Sequence, residues 1–157
     1  MQTVIPPAQN DLTLLLPAYR PKVIALLAAV TARGRKARLF ETYRSDARCL
    51  YVTKKGASRN GLRSMHRYRS AVDIIDEIAL WSDPTFFTVL GAEAMRLGLT
   101  WGGDWDGNPK TEQSFDDRPH VQAIPLGKQD IFRSLKDDGA RDAYLVRYFA
   151  SAERTVG

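Results

Sequence analysis

Cysteine is nearly absent from this chain. Cys49 stands alone, so no intramolecular disulfide and no multi-cysteine zinc site can form. Histidine is almost as scarce, with His66 and His120 the only two. No apolar run approaches the roughly eighteen residues of a membrane-spanning helix, so no stable membrane insertion is expected. The opening MQTVIPPAQN has no basic stretch followed by an apolar one, and no secretory signal is expected. Internal repeats and low-complexity linkers are also missing. What remains suits one domain over residues 1–157: the chain is long enough for a real core, and 44% of it is hydrophobic.

Acidic residues are scarce in the first half. Residues 1–69 hold 14 Lys/Arg against 3 Asp/Glu, whereas residues 70–157 hold 9 against 15. A basic half suits a polyanion such as nucleic acid, an anionic envelope surface or a cell-wall polymer. The competing reading is a solvated surface that becomes mixed once the halves fold together. No nucleic-acid motif accompanies the arginines, so nucleic acid is not expected as a partner.

Hydrophobic spacing predicts the elements. DLTLLLPAYRPKVIALLAAVTARGRKA reads as helix, continuous from about Pro21, with Ile24, Leu27, Ala28 and Thr31 at helical spacing and Gly34 as its stop. ARLFETY and SAVDIIDE read as strands, as does HVQAI. SDARCLYVTKKG reads as a short helix capped by Ser45, and DPTFFTVLGAEAMRLG as a helix capped by Asp83. WGGDWDGNPKTEQSFDD reads as a long loop, and closing helices are expected over residues 127–157. Helices and strands mix without a regular βαβ repeat, which favours an α+β fold.

Both histidines lie near acids. His66 precedes Asp73 by seven residues, and Asp117 precedes His120 by three. Zinc accepts imidazole nitrogen and carboxylate oxygen, and catalytic sites use three protein ligands. His66, Asp73 and His120 form such a set. Seven residues along a helix span about 10 Å, too far to share an ion, so His66 must sit on a loop folded back onto the Asp73 strand. Asp73 lies between apolar neighbours, on the strand face of Ala71 and Ile75, and a carboxylate there needs a partner. Pro119 disfavours helix at Arg118, so a turn delivers Asp117 before His120 opens a strand. Asp117 is then free to take a proton from an activated water. Two other residues compete as ligands. Cys49 falls in an expected helix without a partner cysteine, and Asp76 falls on the opposite strand face.

At these residues the chain resembles a known family. SMHRYRSAVDI resembles the Ser-x-His-x-x-x-x-x-x-Asp signature of the D-alanyl-D-alanine carboxypeptidase-like zinc peptidases. That family includes vancomycin-resistance-type carboxypeptidases and phage endolysins that cut between L-alanine and D-glutamate. LGLTWGGDW followed by FDDRPHVQ resembles the second half of the signature, in the endolysins above all, and FETYRSDARC resembles the preceding strand-turn-helix. The order and spacing match over about residues 10–125.

The resemblance implies Zn2+ held by His66, Asp73 and His120, with Asp117 as general base. It implies that Arg44 contacts substrate and polarises the scissile carbonyl, and that Ser64 supports the loop or touches substrate. Trp101 is a further candidate substrate contact, weighed against packing in the cleft wall. The fold implied is a small hedgehog/D-Ala-D-Ala peptidase-like domain, with a central antiparallel sheet lining a zinc cleft, flanked by helices. The catalytic motifs span residues 41–122. The implied function is a monomeric L-alanyl-D-glutamate endopeptidase acting on peptidoglycan stem peptides. It would be a phage endolysin made in the host cytoplasm and released to the cell wall through a holin. A D-alanyl-D-alanine carboxypeptidase and a non-catalytic cell-wall-binding module are the alternatives. The chain departs from the endolysin pattern at Arg67, Tyr68, Arg69 and Ser70, where Arg69 replaces a usual glycine, and at Cys49, where glutamine is common.

Three features stand outside this site. Arg59, Arg63, Arg67 and Arg69 cluster around the first ligand and suit the carboxylates of stem peptides. DWDGN lacks the glycine and glutamate positions of a calcium hand, though a looser cation site stays open. The last thirty residues set Tyr144, Leu145, Tyr148 and Phe149 against Arg141, Arg147 and Arg154, a pattern for core packing or for an anionic envelope surface.

Overall fold

The computed structural model describes residues 4–113 and 115–154, apart from the side chain of Arg154. After a single 3-10 turn at Leu12–Leu14, helix α1 (Arg20–Ala32) carries Pro21 in its first turn. It stops before Gly34, whose φ of +78° is open to glycine and costly for other residues. The buried face of α1 is Val23, Leu26 and Val30, whereas Ile24 is half exposed. This corrects the face expected from Ile24, Leu27, Ala28 and Thr31. The helix is apolar nearly all round, so its spacing fits more than one face.

Strand β1 (Ala37–Glu41) follows, then α2 (Asp46–Lys54), where the Ser45 hydroxyl accepts from the Arg48 N–H. Strand β2 (Ala71–Asp76) leads to α3 (Pro84–Arg96), where Asp83 accepts from the Thr85 N–H. Two short strands come next, β3 (Thr100–Trp101) and β4 (His120–Gln122), with the long loop between them. The two-residue β3 escaped the sequence reading, since so short a strand shows no period. Helices α4 (Gln129–Ser134) and α5 (Asp138–Arg154) close the described fold, and residues 155–157 of the expected closing segment lie outside it.

The four strands form one antiparallel sheet in the order β1-β2-β4-β3. The α+β class and central antiparallel sheet therefore stand as expected. The core joins Val72 and Ile74 of β2 to Val23 and Leu26 of α1, Phe86 and Leu90 of α3, and Leu145 of α5. Full burial of each such side chain contributes about 1.5–3 kcal/mol. Leu145 and Phe149 confirm a packing role for the tail. No helix among the described residues is long and apolar enough to cross a membrane.

Candidate metal centre

The sheet register builds the site. Glu41 of β1 pairs with Asp73 of β2, and Asp73 pairs with His120 of β4. Residues directly opposite in an antiparallel sheet project to the same face. Three chemically active side chains therefore stand in one row across three strands.

His66 reaches this row from the loop before β2. The Ser64 hydroxyl accepts from the His66 N–H at 3.3 Å, and Arg67 N–H donates to the Ser64 carbonyl at 3.0 Å. The loop then turns back through Arg69, whose φ is +58°. Glycine adopts this left-handed backbone most readily. Here arginine is held instead: its carbonyl accepts from Leu16 N–H, its guanidinium donates to the Leu14 carbonyl, and it pairs with Asp138. It also lies 4.0 Å above the Tyr43 ring.

The donor atoms converge. Asp73 Oδ1 lies 3.3 Å from His66 Nε2 and 3.4 Å from His120 Nδ1. Ligand atoms of all three residues fall within 4.8 Å of one another. The tautomers are fixed from behind. His66 Nδ1 donates to the Thr42 carbonyl at 2.8 Å, so Nε2 keeps its lone pair. Gln122 donates its amide N–H to the Ile124 carbonyl, which leaves Gln122 Oε1 to accept from His120 Nε2 at 2.9 Å. His120 Nδ1 therefore also presents a lone pair. The three donors around one point could hold a cation, and His66 Nε2 is buried without any hydrogen-bond partner among the described residues. Two imidazole nitrogens and a carboxylate oxygen fit zinc. The oriented histidines supply the outer hydrogen bonds that a metal centre uses.

Without a metal, a proton on the imidazoles can balance the same carboxylate. Burial pushes the Asp73 carboxyl up, yet His66 and His120 outweigh it and hold it well below the usual range. Burial lowers His120, but its contacts with Asp73 and Asp117 raise it on balance. Cys49 is buried with its thiol against the Arg44 carbonyl and stays outside the donor set. Asp76 accepts from the N–H groups of Ile78 and Ala79 and is likewise outside it.

Arg44 is nearly buried and lies 3.5 Å from Asp73 Oδ2. Its guanidinium is gripped by Glu41, which also accepts from Arg48 at 2.9 Å. Glu41 is 1% exposed, so it neutralises two arginines inside the fold. Asp117 Oδ2 lies 3.9 Å from His120 Nδ1, with its side chain 39% exposed toward the cleft. Its backbone is pinned by a ladder, Asp117 N–H to the Gly102 carbonyl and Gly102 N–H to the His120 carbonyl. A Cβ on Gly102 would collide with the Asp117 carbonyl, so this approach needs glycine. Burial raises the Asp117 carboxyl above its ordinary value, with the Asp73 charge adding to the rise.

These groups line a cleft of about 690 Å3, together with Ser64, Trp81, Trp105 and Arg133. Trp101, the expected substrate contact, is not among the residues that line it. Its indole packs against Gly91 and Gly103, where an added Cβ would overlap the ring, and its N–H donates to the Arg118 carbonyl. Trp105 lines the cleft, 5.5 Å from the His120 ring and stacked on Phe115. Arg59 lines the cleft, whereas Arg67 and Arg69 are engaged elsewhere, Arg67 with Asp46 at 2.6 Å. Sequence reasoning missed Glu41 and Gln122 as members of the site. A buried-strand glutamate three residues before an arginine was the available signal for Glu41.

No family model matches the chain, and no curated protein matches it. Among solved structures, the chain is similar to the crystal structure of the Serratia marcescens L-Ala D-Glu endopeptidase ChiX. The two superpose with a TM-score of 0.52 at 21% identity, over 76% of this chain and 87% of the other. The likeness shows a shared fold.

Proposed function

We propose that this chain is a zinc-dependent peptidoglycan hydrolase that cleaves stem peptides between L-alanine and D-glutamate. The observation that carries the reading is the buried His66–Asp73–His120 donor set beside Asp117 on the floor of an open cleft. The fold shared with an L-Ala D-Glu endopeptidase supports the choice of bond.

His66, Asp73 and His120 would hold the ion, which when bound supplies Lewis-acid polarisation of a carbonyl and acidification of water to a pKa of about 7. The chain's own residues do the rest. Asp117 accepts the proton of the attacking water at its carboxylate and returns a proton to the leaving amine. Its raised proton affinity brings it closer to neutral working pH. Arg44 directs positive charge into the site and stabilises the oxyanion that develops on the scissile carbonyl. Glu41 fixes the Arg44 guanidinium, so little reorganisation is needed as charge develops. Gln122 and the Thr42 carbonyl keep both imidazoles in the ligating tautomer. Ser64 holds the His66 loop from the cleft side.

The chain would act as a monomeric phage endolysin, reaching the cell wall from the host cytoplasm through a holin. Digestion of purified peptidoglycan followed by mass spectrometry tests the reaction. The reading expects new L-alanine carboxyl ends and D-glutamate amino ends. Freed D-alanine would instead identify a carboxypeptidase, and an intact stem a binding module.

A further inference from the structure

The chain has three tryptophans, and two are fully committed. Trp101 donates its N–H to the Arg118 carbonyl, and Trp105 donates to the Phe115 carbonyl. Trp81 differs. Its side chain is half exposed, it lines the cleft, and its indole N–H has no acceptor among the described residues. The Phe40 ring meets it at 4.9 Å and 78°, a T-shaped contact that braces the indole on one side.

The backbone that presents Trp81 is built at a cost. Leu80 adopts a φ of +55°, a region that branched apolar residues avoid. The turn is locked by Asp76, whose Oδ1 accepts from Ile78 and Ala79 N–H groups at 2.8 Å each, and by paired backbone bonds between Asp76 and Leu80. Strain of this kind persists where surrounding structure holds it, and it clusters at functional sites. Here it holds an uncommitted indole at the cleft.

We propose that Trp81 is the stacking platform for the muramyl sugar on the amino side of the scissile L-alanine. This rests on the peptidase reading above and extends it from the peptide to the glycan. A register shift between Leu39 and Glu41 brings Phe40 onto the cleft beside Glu41, which lies opposite Asp73, so Phe40 and Trp81 line the same cleft as the donor set. In the substrate, L-alanine joins the sugar through a lactyl ether. The sugar ring then lies two to three residue lengths from the scissile bond, about 7–10 Å at ~3.5 Å per residue. A pyranose presents a face of C–H groups to an indole, and the free Trp81 N–H suits the N-acetyl oxygen or a hydroxyl.

The test compares cleavage of an N-acetylmuramyl stem peptide with that of the same peptide lacking the sugar. The wild-type chain is expected to prefer the muramyl peptide in kcat/KM by about tenfold, the worth of one aromatic contact. Trp81→Ala should erase that preference through KM, and Trp81→Phe should restore part of it. Thermal denaturation checks that both variants fold. Equal wild-type rates on the two peptides, or a Trp81→Ala loss shared by both, overturn the sugar platform and leave the peptidase reading standing. Cleavage of neither peptide by the wild-type chain overturns both. A Trp81→Ala chain that keeps its sugar preference but loses binding to phosphatidylglycerol vesicles assigns the indole to lipid and overturns the proposal.

Discussion

Replacing Gln122 by leucine removes the one group that sets the His120 tautomer from behind. Gln122 is 1% exposed and bridges two buried partners, accepting from His120 Nε2 and donating to the Ile124 carbonyl. Leucine fills a similar volume but leaves both partners unpaired. Each orphaned buried group costs about 1–3 kcal/mol, so the metal-free chain should lose about 3 kcal/mol. At this chain length that corresponds to a fall of roughly 6–12 °C in Tm. Zinc affinity should fall separately, by about 10–100-fold, because an outer partner of a ligating histidine is gone. Gln122→Glu divides the two effects. It still accepts from His120, so zinc affinity should stay near wild type, while the lost bond to Ile124 lowers Tm. Competition against a chromophoric chelator measures affinity, and thermal denaturation measures stability. If the folded leucine variant binds zinc within about twofold of wild type, the orienting role assigned to Gln122 is wrong.

Asp117→Asn should lower turnover by about 10²–10⁴-fold while zinc stays bound, as read by cleavage rate and metal content. The same variant should be no less stable than wild type, because burial and Asp73 disfavour the ionised Asp117 carboxyl in the fold. Without metal, the Asp73–His120 pair makes stability depend on pH in two directions. Asp73 is lowered, so its contribution is present above about pH 4 and is lost as pH falls through its folded value; His120 is raised, so its contribution is full below about pH 6.5 and is lost as pH rises through its folded value. Zinc needs deprotonated imidazoles, so the Tm gap between zinc-loaded and metal-free protein should widen as pH rises from 6 toward 8. A gap that narrows over that range would count against the ligand set. Arg69→Gly relieves the left-handed backbone by about 1 kcal/mol but forfeits about 2 kcal/mol from Asp138, the Leu14 carbonyl and Tyr43. Urea denaturation should therefore show a net loss of about 1 kcal/mol.

The donor set was legible because each residue conflicted with its local setting. Asp73 sat in an apolar strand, His66 could not share a helix with it, and Pro119 forced a turn before His120. Those conflicts resolve at one point in space, where three ligand atoms converge. The helices and main strands were legible from caps and spacing, as the Ser45 and Asp83 caps show. Glu41 and Gln122 were harder to read, because their importance comes from cross-strand register and from what lies behind the ligands. The surroundings of Trp101 and Trp105 were hard to read for a similar reason. The two lie four residues apart, Trp101 on the two-residue β3 and Trp105 in the loop after it, and the packing of Gly91 and Gly103 on Trp101 is set only in the folded chain. The apolar circumference of α1 left its buried face open until α3 and the sheet packed against it.

The most direct measurement is a titration of metal-free protein with zinc while cleavage of a stem peptide is followed by mass spectrometry. The account predicts no cleavage without metal, a rise that saturates at one zinc per chain, and products ending in L-alanine. His66→Ala should abolish that rise. Full cleavage by the metal-free chain, or a His66→Ala chain that saturates like wild type, would contradict it.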